Sequence, residues 1–311
     1  MLLGISIFTF GIGCVAIHPT LWTLAAALIL AMIGKYLFDP SMQAYFGDRI
    51  PYERRGTALA VTEVAWSLAF IVGVPVMGYL IARDGWSAPF PVLAVLGLFA
   101  FLVLWRMIPR EDPHHTAPAS SLTGYRAVFS SAPALAGISI ALWASAGNEL
   151  VNVVFGVWLE DSFGLKIAAL AGASAVIGIS ELSGEGLVAL TTDRLGKPLA
   201  LTIGLIGNAL ASILLPLIGH TQIGALIGLF LFYITFEYVV VSHIPLMTEL
   251  VPTARATVLS INVTGHSIGR ALGAFLAVLI YQRFGFTFVA LTTVGFNVAA
   301  LLALRYMLRG R

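Results

Sequence analysis

The sequence predicts an all-α membrane protein, and three observations support this. The chain has 311 residues, of which 59% are hydrophobic and only 10% are charged, whereas a soluble domain carries about 25% charged residues. Its mean hydropathy is +0.95. Its apolar runs are too long, and alternate too little, to be membrane-spanning β-strands. So little polar surface cannot cover a water-facing fold, and we therefore expect a chain that lies within a lipid bilayer.

Ten stretches are long enough to cross a bilayer, which takes about 20 mostly apolar residues in a helix. They are roughly 1–17, 21–45, 57–82, 88–108, 133–158, 167–190, 199–218, 223–247, 256–282 and 286–307. We predict two pseudo-symmetric bundles: four spans in residues 1–109 and six in residues 132–311. Residues 110–131 are rich in proline, serine and charge, and we expect them to form a flexible cytoplasmic linker.

An internal echo supports two related halves. The run Arg55-Gly56-Thr57-Ala58-Leu59 returns 200 residues later as Arg255-Ala256-Thr257-Val258-Leu259, and Pro51 matches Pro252 with a one-residue slip. In this register the counterpart of Asp193–Lys197 would precede Met1. The first half is thus expected to lack two helices, and we favour a fragment or mis-started reading frame over a shortened variant.

The distribution of basic residues predicts the orientation, because lysine and arginine concentrate in cytoplasmic loops. If the Asp48–Gly56 loop is cytoplasmic, twelve basic residues lie inside and three outside, and two, Lys35 and Arg270, lie within spans. We therefore expect a multi-pass protein of the cell membrane with both termini in the cytoplasm.

Ionisable residues inside the spans mark a predicted substrate and proton pathway, since a charge at the bilayer centre costs about 2.5–3.5 kcal/mol on insertion scales and must face a cavity or a partner. Spans one, four, seven and ten contain none. This period predicts repeats of three helices, two facing a polar cavity and one facing lipid. The candidate pathway residues are Lys35, Asp39, Glu63, Glu149, Glu181, Glu237, His266 and Arg270.

Specific roles follow from spacing. Lys35 and Asp39 are four residues apart on one helical face and can neutralise each other. Asp39 or Glu63 is the predicted proton carrier. Arg270 could balance Glu149 or Glu237, or bind an anionic substrate. The alternative is structural: a Lys35–Asp39 pair with Glu63 capped by neighbouring polar groups, and ion pairs that hold the second bundle together.

Three motifs resemble those of the major facilitator superfamily. Asp193-Arg194-Leu195-Gly196-Lys197 resembles the family's cytoplasmic loop motif, D-R-x-G-R/K, and Pro51-x-x-x-Arg55-Gly56 resembles its loop between the fourth and fifth helices. Gly73–Gly78 is similar to the Gly-Pro motif of antiporters, but has Val74 where glycine usually precedes proline. The resemblance covers the whole chain, matched to helices three to twelve of a twelve-helix fold.

The resemblance implies a cytoplasmic gate in which a carboxylate at one helix end meets an arginine or a helix N-terminus in one state and releases it in the other. The opposing interpretation is that these charges serve topology alone. The candidate gate residues are Asp48, Arg54, Arg55, Gly56, Glu185, Asp193, Arg194, Gly196, Lys197 and Arg255.

We expect a secondary transporter that moves a small organic solute by alternating access, with proton-coupled efflux favoured over proton-coupled uptake. A non-transporting membrane receptor or scaffold is the alternative from another class. An enzyme is disfavoured, because the sequence offers no nucleophile–base or metal-ligand spacing. We expect a monomer in the lipid bilayer whose partners are the solute and protons, with no cofactor and no nucleic acid.

Overall fold

The computed structural model describes residues 1–108, 121–164 and 167–310. Within these ranges all regular structure is helical, which confirms the predicted all-α class. The α-helices are α1 (Leu2–Ile17), α2 (Leu21–Arg49), α3 (Arg55–Leu68), α4 (Val74–Asp84), α5 (Pro89–Met107), α6 (Ser121–Phe129), α7 (Ala132–Phe163), α8 (Ile167–Leu195), α9 (Lys197–Ile218), α10 (Gln222–Met247), α11 (Arg255–Phe284) and α12 (Phe286–Arg309).

Seven helices in the described part of the chain are long and apolar enough to cross a bilayer: α2, α5, α7, α9, α10, α11 and α12. The ten-span count therefore stays a prediction. The predicted third span is not one regular helix, because α3 and α4 are joined by a π-helical turn at Ala69–Gly73. This turn ends two residues before Pro75, whose nitrogen has no hydrogen to continue the helical ladder.

The predicted linker contains a helix. Residues 109–120 lie outside the described ranges, but α6 occupies the second part of the segment that we expected to be flexible. Val128 of α6 is fully buried against a cluster that includes Val251 and Ala254. Apolar residues at helical spacing were thus hidden among the serine and arginine residues of this segment.

Helices α7–α12 pack closely on one another, with α7 lying against both α11 and α12 and α10 against α8 and α9. In the first part of the chain, α1 packs against α2 and α5. Two seams join these groups: α3 lies along α8 and also contacts α10, and α2 lies along α11. The residues singled out from the sequence lie mostly on these two seams.

Small residues allow the α7–α11 contact. A Cβ atom added to Gly269 would lie 2.1 Å from the backbone oxygen of Leu142, and one added to Gly273 would lie 2.4 Å from that of Ala146. Backbone atoms cannot move aside as the end of a flexible side chain can. The two helices can therefore approach this closely only where α11 carries glycine.

We expect Gly269→Ala to destabilise the fold by about 1–3 kcal/mol, because overpacking forces α7 and α11 apart. Gly156→Ala on α7 is the matched control, since its Cβ would meet no atom within 4 Å and alanine is the better helix former. The midpoint of unfolding of the purified protein in detergent measures both. Equal midpoints for the two variants would contradict the packing account.

Candidate functional site

Arg55 joins the first helix group to the second. Its Nε donates a hydrogen bond to the carbonyl oxygen of Ile50 at 2.7 Å, which holds the side chain against its own loop. Its Nη1 donates to the Thr248 hydroxyl at 3.2 Å and to the Glu249 carboxylate. The Arg55 side chain is only 8% exposed, so this charge depends on Glu249 for its neutralisation.

Arg255 makes the reciprocal contact from the second group. Its Nε donates to the carbonyl oxygen of Thr248 at 2.8 Å, and its Nη1 contacts the carboxylate of Asp48. Its Nη2 lies 3.3 Å from the Glu249 carboxylate. Each arginine of the sequence echo therefore reaches an acid of the opposite loop, and Glu249 receives both.

Asp193 caps a helix of the other group. Its carboxylate accepts hydrogen bonds from the backbone nitrogens of Gly56 at 3.0 Å and Thr57 at 2.9 Å, and from the Thr57 hydroxyl at 2.7 Å. These nitrogens belong to the first turn of α3 and have no partner within the helix. A Cβ atom on Gly56 would lie 2.7 Å from the Asp193 Oδ1, which explains the glycine.

Lys197 completes this contact. Its Nζ lies 3.0 Å from the Asp193 carboxylate and 4.4 Å from the centre of the Tyr52 ring. Burial by itself would raise the pKa of Asp193, but the hydrogen bonds from Thr57 and the ion pair with Lys197 outweigh it and hold that pKa below its ordinary value. The carboxylate therefore stays charged at neutral pH. We call the following set the charged-loop cluster: Asp48, Arg55, Asp193, Lys197, Glu249 and Arg255.

A second set of polar groups lies one to four helical turns further along the same seams. Lys35 and Asp39 form an ion pair on α2. Glu63 of α3 is hydrogen-bonded to the side chain of Gln43, within electrostatic range of Asp39, Lys35 and Glu185. Both acids that the sequence nominated as proton carriers thus lie in one environment.

Glu185 lies at the seam between α3 and α8. It is fully buried, and its Oε1 accepts a hydrogen bond from the Ser67 hydroxyl at 2.7 Å. Among the described residues, its Oε2 has no hydrogen-bond partner. Glu185 thus places a buried carboxyl, held by one hydrogen bond, between the two helix groups.

Arg270 of α11 pairs with Glu149 of α7, with 3.4 Å between Nε and Oε2. Two neighbours position Glu149: the Asn152 amide lies 3.4 Å from its Oε1, and the Tyr233 hydroxyl donates to the Asn152 oxygen at 3.0 Å. Of the two partners that the sequence left open for Arg270, the structure thus gives the ion pair to Glu149.

His266, one turn from Arg270, lies with its Nδ1 2.6 Å from the Ser145 hydroxyl. Its ring centre is 6.4 Å from that of His243 on α10. Which atom donates depends on the tautomer of the imidazole. This histidine is therefore engaged with α7 and α10, away from the seam with α2.

Acids from both helix groups converge here. Glu237 is almost fully buried, packs against Gly184 of α8, and lies within electrostatic range of Glu181, Glu63 and Glu185. We call the following set the mid-membrane polar cluster: Lys35, Asp39, Glu63, Glu149, Glu181, Glu185, Glu237, His266 and Arg270. No three histidine, cysteine or acidic side chains of the described ranges are arranged to hold a metal ion.

Comparison with known proteins decides the family. The profile of the Major Facilitator Superfamily matches residues 1–252 of the chain. The chain belongs to this superfamily. This confirms the resemblance carried by the loop motifs and makes the chain a multi-pass membrane protein.

Relatives within the superfamily differ in direction and solute. The uncharacterised transporter YbcL of Bacillus subtilis is 27% identical over 233 residues, which is 74% of this chain and 58% of YbcL. The chloramphenicol efflux pump MT0201 of Mycobacterium tuberculosis is 25% identical over 288 residues, which is 86% of this chain and 66% of the pump. The chain thus spans a little over half the length of YbcL.

A solved structure shares the fold. The proton:xylose symporter XylE has a TM-score of 0.75 and 16% identity, with coverage of 99% of this chain and 78% of XylE. At this identity the likeness shows the superfamily fold alone, and solute and direction do not follow from it.

The sequence placed most members of both clusters but missed several partners. Arg54 and Arg194 are exposed, and Gly196 starts α9 with a φ of +84°, so these three support the loop without joining the two helix groups. Glu249 was missed, although Glu249-x-x-Pro252 repeats Asp48-x-x-Pro51 once the one-residue slip is applied. Polar residues without charge were also missed: Gln43, Thr57, Ser67, Ser145, Asn152 and Thr248.

Proposed function

We propose that the chain forms the moving helix groups of a proton-coupled secondary transporter that carries a small organic solute by alternating access. The proposal rests on one observation: two clusters of polar residues lie along the same contacts between the helix groups. The charged-loop cluster ties the two helix groups together at one end, and the mid-membrane polar cluster gathers protonatable carboxyls from both groups. Alternating access requires a breakable contact on one side of such a midplane site.

The proposal extends to topology and domain organisation. The charged-loop cluster faces the cytoplasm together with both termini, since the basic residues concentrate at that end of the helices. Residues 1–109 and 132–311 are the two moving units, built from three-helix repeats. The described arrangement is then one in which the cytoplasmic side is closed.

Efflux by exchange for protons is the first candidate for direction. Within the described ranges neither Glu63 nor Glu185 forms an ion pair, so each can exchange a proton as solute binds, and the relative from Mycobacterium tuberculosis is named as an efflux pump. Uptake by proton symport is the second candidate, because the same carboxyls can equally carry a proton inward together with the solute.

The test uses inverted membrane vesicles that hold the full chain and an acidic lumen, with a pH-sensitive dye. An exchanger is expected to make the lumen more alkaline when its solute is added, whereas a symporter is expected to make it more acidic. The solutes offered in turn are chloramphenicol, D-xylose and a straight-chain six-carbon dicarboxylate. We expect Glu63→Gln to reduce the solute-dependent signal at least tenfold, because a glutamine cannot carry the proton. Glu53→Gln, the same change on an exposed loop residue, is the control.

Two outcomes would overturn the proposal. One is that no solute moves protons through the wild-type chain. The other is that Glu63→Gln and Asp39→Asn together leave the signal intact, which would remove both nominated carriers.

A further inference from the structure

In both ion pairs of the mid-membrane polar cluster, the cation is more exposed than the acid that neutralises it. The Lys35 side chain is 43% exposed and its partner Asp39 is 29% exposed. The difference is larger on α11, where Arg270 is 57% exposed and Glu149 only 16%. The acids Glu185 and Glu237 are buried. The open polar surface of the cluster is therefore more positive than its list of residues suggests.

Lipid cannot be what this surface faces. Arg270 lies fifteen residues along α11 from Arg255, which is about 20 Å at 1.5 Å per residue and places it near the bilayer midplane. A guanidinium that is more than half exposed at this depth needs water or a bound anion, since exposure to hydrocarbon costs several kcal/mol. We therefore expect Arg270 to face water or an anion and not hydrocarbon.

Both cations flank one contact between the helix groups. The Tyr36 hydroxyl of α2 lies 3.0 Å from the Ser267 hydroxyl of α11. Lys35 precedes Tyr36 in the chain, and Arg270 is one helical turn beyond Ser267. A ligand held at this contact would lie within about one helical turn of a cation from each helix group.

The chemistry of Arg270 selects the ligand. Glu149 engages its Nε, and the two Nη groups form the planar fork that binds a carboxylate through two parallel hydrogen bonds. Glu149 is held in turn by Asn152, and Asn152 by Tyr233. Glu149 contacts Arg270 through an ion pair and not a hydrogen bond, so both Nη groups remain directed away from it. Glu181 and Glu237, also within electrostatic range, would repel an anion only when ionised.

We propose that the solute of this transporter is an organic anion, bound by the Arg270 fork from α11 and by Lys35 from α2. That the anion is transported rests on the proposed function. That the anion is bound depends only on the two cations. An anion at this position contacts both helix groups and stabilises the arrangement in which α2 and α11 touch.

The test is binding to the purified full chain in detergent, read as the rise in Tm that a ligand of the folded state produces. The probes are matched straight-chain compounds of four, six and eight carbons. Each length is supplied as the dicarboxylate, the uncharged diol and the diamine, so that only the charge differs. We expect at least one dicarboxylate to raise Tm in a saturable manner, and the diols and diamines to have no effect.

Variants locate the effect. Glu149→Gln combined with Arg270→Gln removes both charges of the pair and leaves no unpaired buried acid, and we expect it to weaken dicarboxylate binding on the order of tenfold or more. Lys35→Gln should weaken it as well, and Arg270→Lys should retain part of it. The control is Arg83→Gln, which removes an exposed arginine beside Asp84 at the C-terminal end of α4. This variant should bind the dicarboxylate as the wild type does.

Several results overturn the proposal: a rise in Tm with diamines and not with dicarboxylates, equal rises with dicarboxylates and diols, no rise with any probe, or full binding by the Glu149→Gln/Arg270→Gln variant. Binding is measured without a proton gradient. Dicarboxylate binding without solute-driven proton movement would thus refute the proposed function and leave this inference standing. Proton movement with chloramphenicol and no anion binding would do the reverse.

Discussion

Replacing Glu249 with glutamine is expected to part the two helix groups at the charged-loop cluster, the end that we propose faces the cytoplasm. Glu249 accepts hydrogen bonds from both Arg55 and Arg255, so this single substitution weakens the contacts of both arginines. Hydrogen bonds to a charged partner contribute about 1.5–3 kcal/mol when buried. Because the Glu249 side chain is 31% exposed, solvent screening reduces this to about 1–3 kcal/mol in total.

A loss of this size raises the open population on the order of 10- to 100-fold. The readout is the rate at which a maleimide reacts with Ala60→Cys in a Cys14→Ser background. Ala60 is fully buried beside Val188 and Val241 and becomes accessible only when the two helix groups part. Glu53→Gln removes an exposed acid nearby and should leave the rate unchanged. An unchanged labelling rate in Glu249→Gln would show that the contacts of Arg55 and Arg255 with Glu249 do not hold the two helix groups together.

Asp193→Asn is expected to have a comparable effect through a different contact. The carboxylate accepts three hydrogen bonds from Gly56 and Thr57 and pairs with Lys197. An asparagine of the same shape loses the charge and turns one acceptor into a donor that faces other donors. We expect Ala60→Cys labelling to rise on the order of tenfold. The variant that combines it with Glu249→Gln should be labelled faster than either single variant, since both contacts hold the same closed arrangement.

Acidification should imitate this variant. The pKa of Asp193 is lowered in the closed arrangement. Its contribution to closure is therefore present above the ordinary carboxyl pKa and is lost as the pH falls through the lowered value. Because the thiolate is the form that reacts with a maleimide, the Ala60→Cys rate is divided at each pH by the rate of the same cysteine in unfolded protein. This ratio should rise with acid in the wild type and should rise less in Asp193→Asn. Asp84→Asn, at the other end of the molecule and 57% exposed, should match the wild type.

Residue spacing along the sequence predicted contacts within one helix better than contacts between different helices. The Lys35–Asp39 pair follows from four-residue spacing on a helix, so the sequence was sufficient for it. The partner of Arg270 could not be chosen in this way, because Glu149 and Glu237 lie on different helices whose rotation depends on packing. The close α7–α11 approach at Gly269 decides that rotation, and it appears only in three dimensions.

The sequence echo was informative but was applied too rigidly. A fixed 200-residue offset pairs Asp48 with Thr248, whereas the contacts of the two arginines follow Asp48 and Glu249. Helix α6 was missed for a related reason, since composition alone was used for residues 110–131. Its burial against Val251 and Ala254 depends on residues more than 100 positions away.

The central claim is that the two helix groups rock about the mid-membrane polar cluster, with the charged-loop cluster holding them closed on the cytoplasmic side. Distances between spin labels test it most directly, using Arg106 and Arg305 at the cytoplasmic end and Arg83 and Arg283 at the outer end. In Glu249→Gln combined with Asp193→Asn, the account predicts a longer cytoplasmic distance and a shorter outer distance than in the wild type. A label pair at Arg194 and Arg305, within one unit, should not change. Unchanged distances at both ends, or cytoplasmic lengthening without outer shortening, would contradict the account.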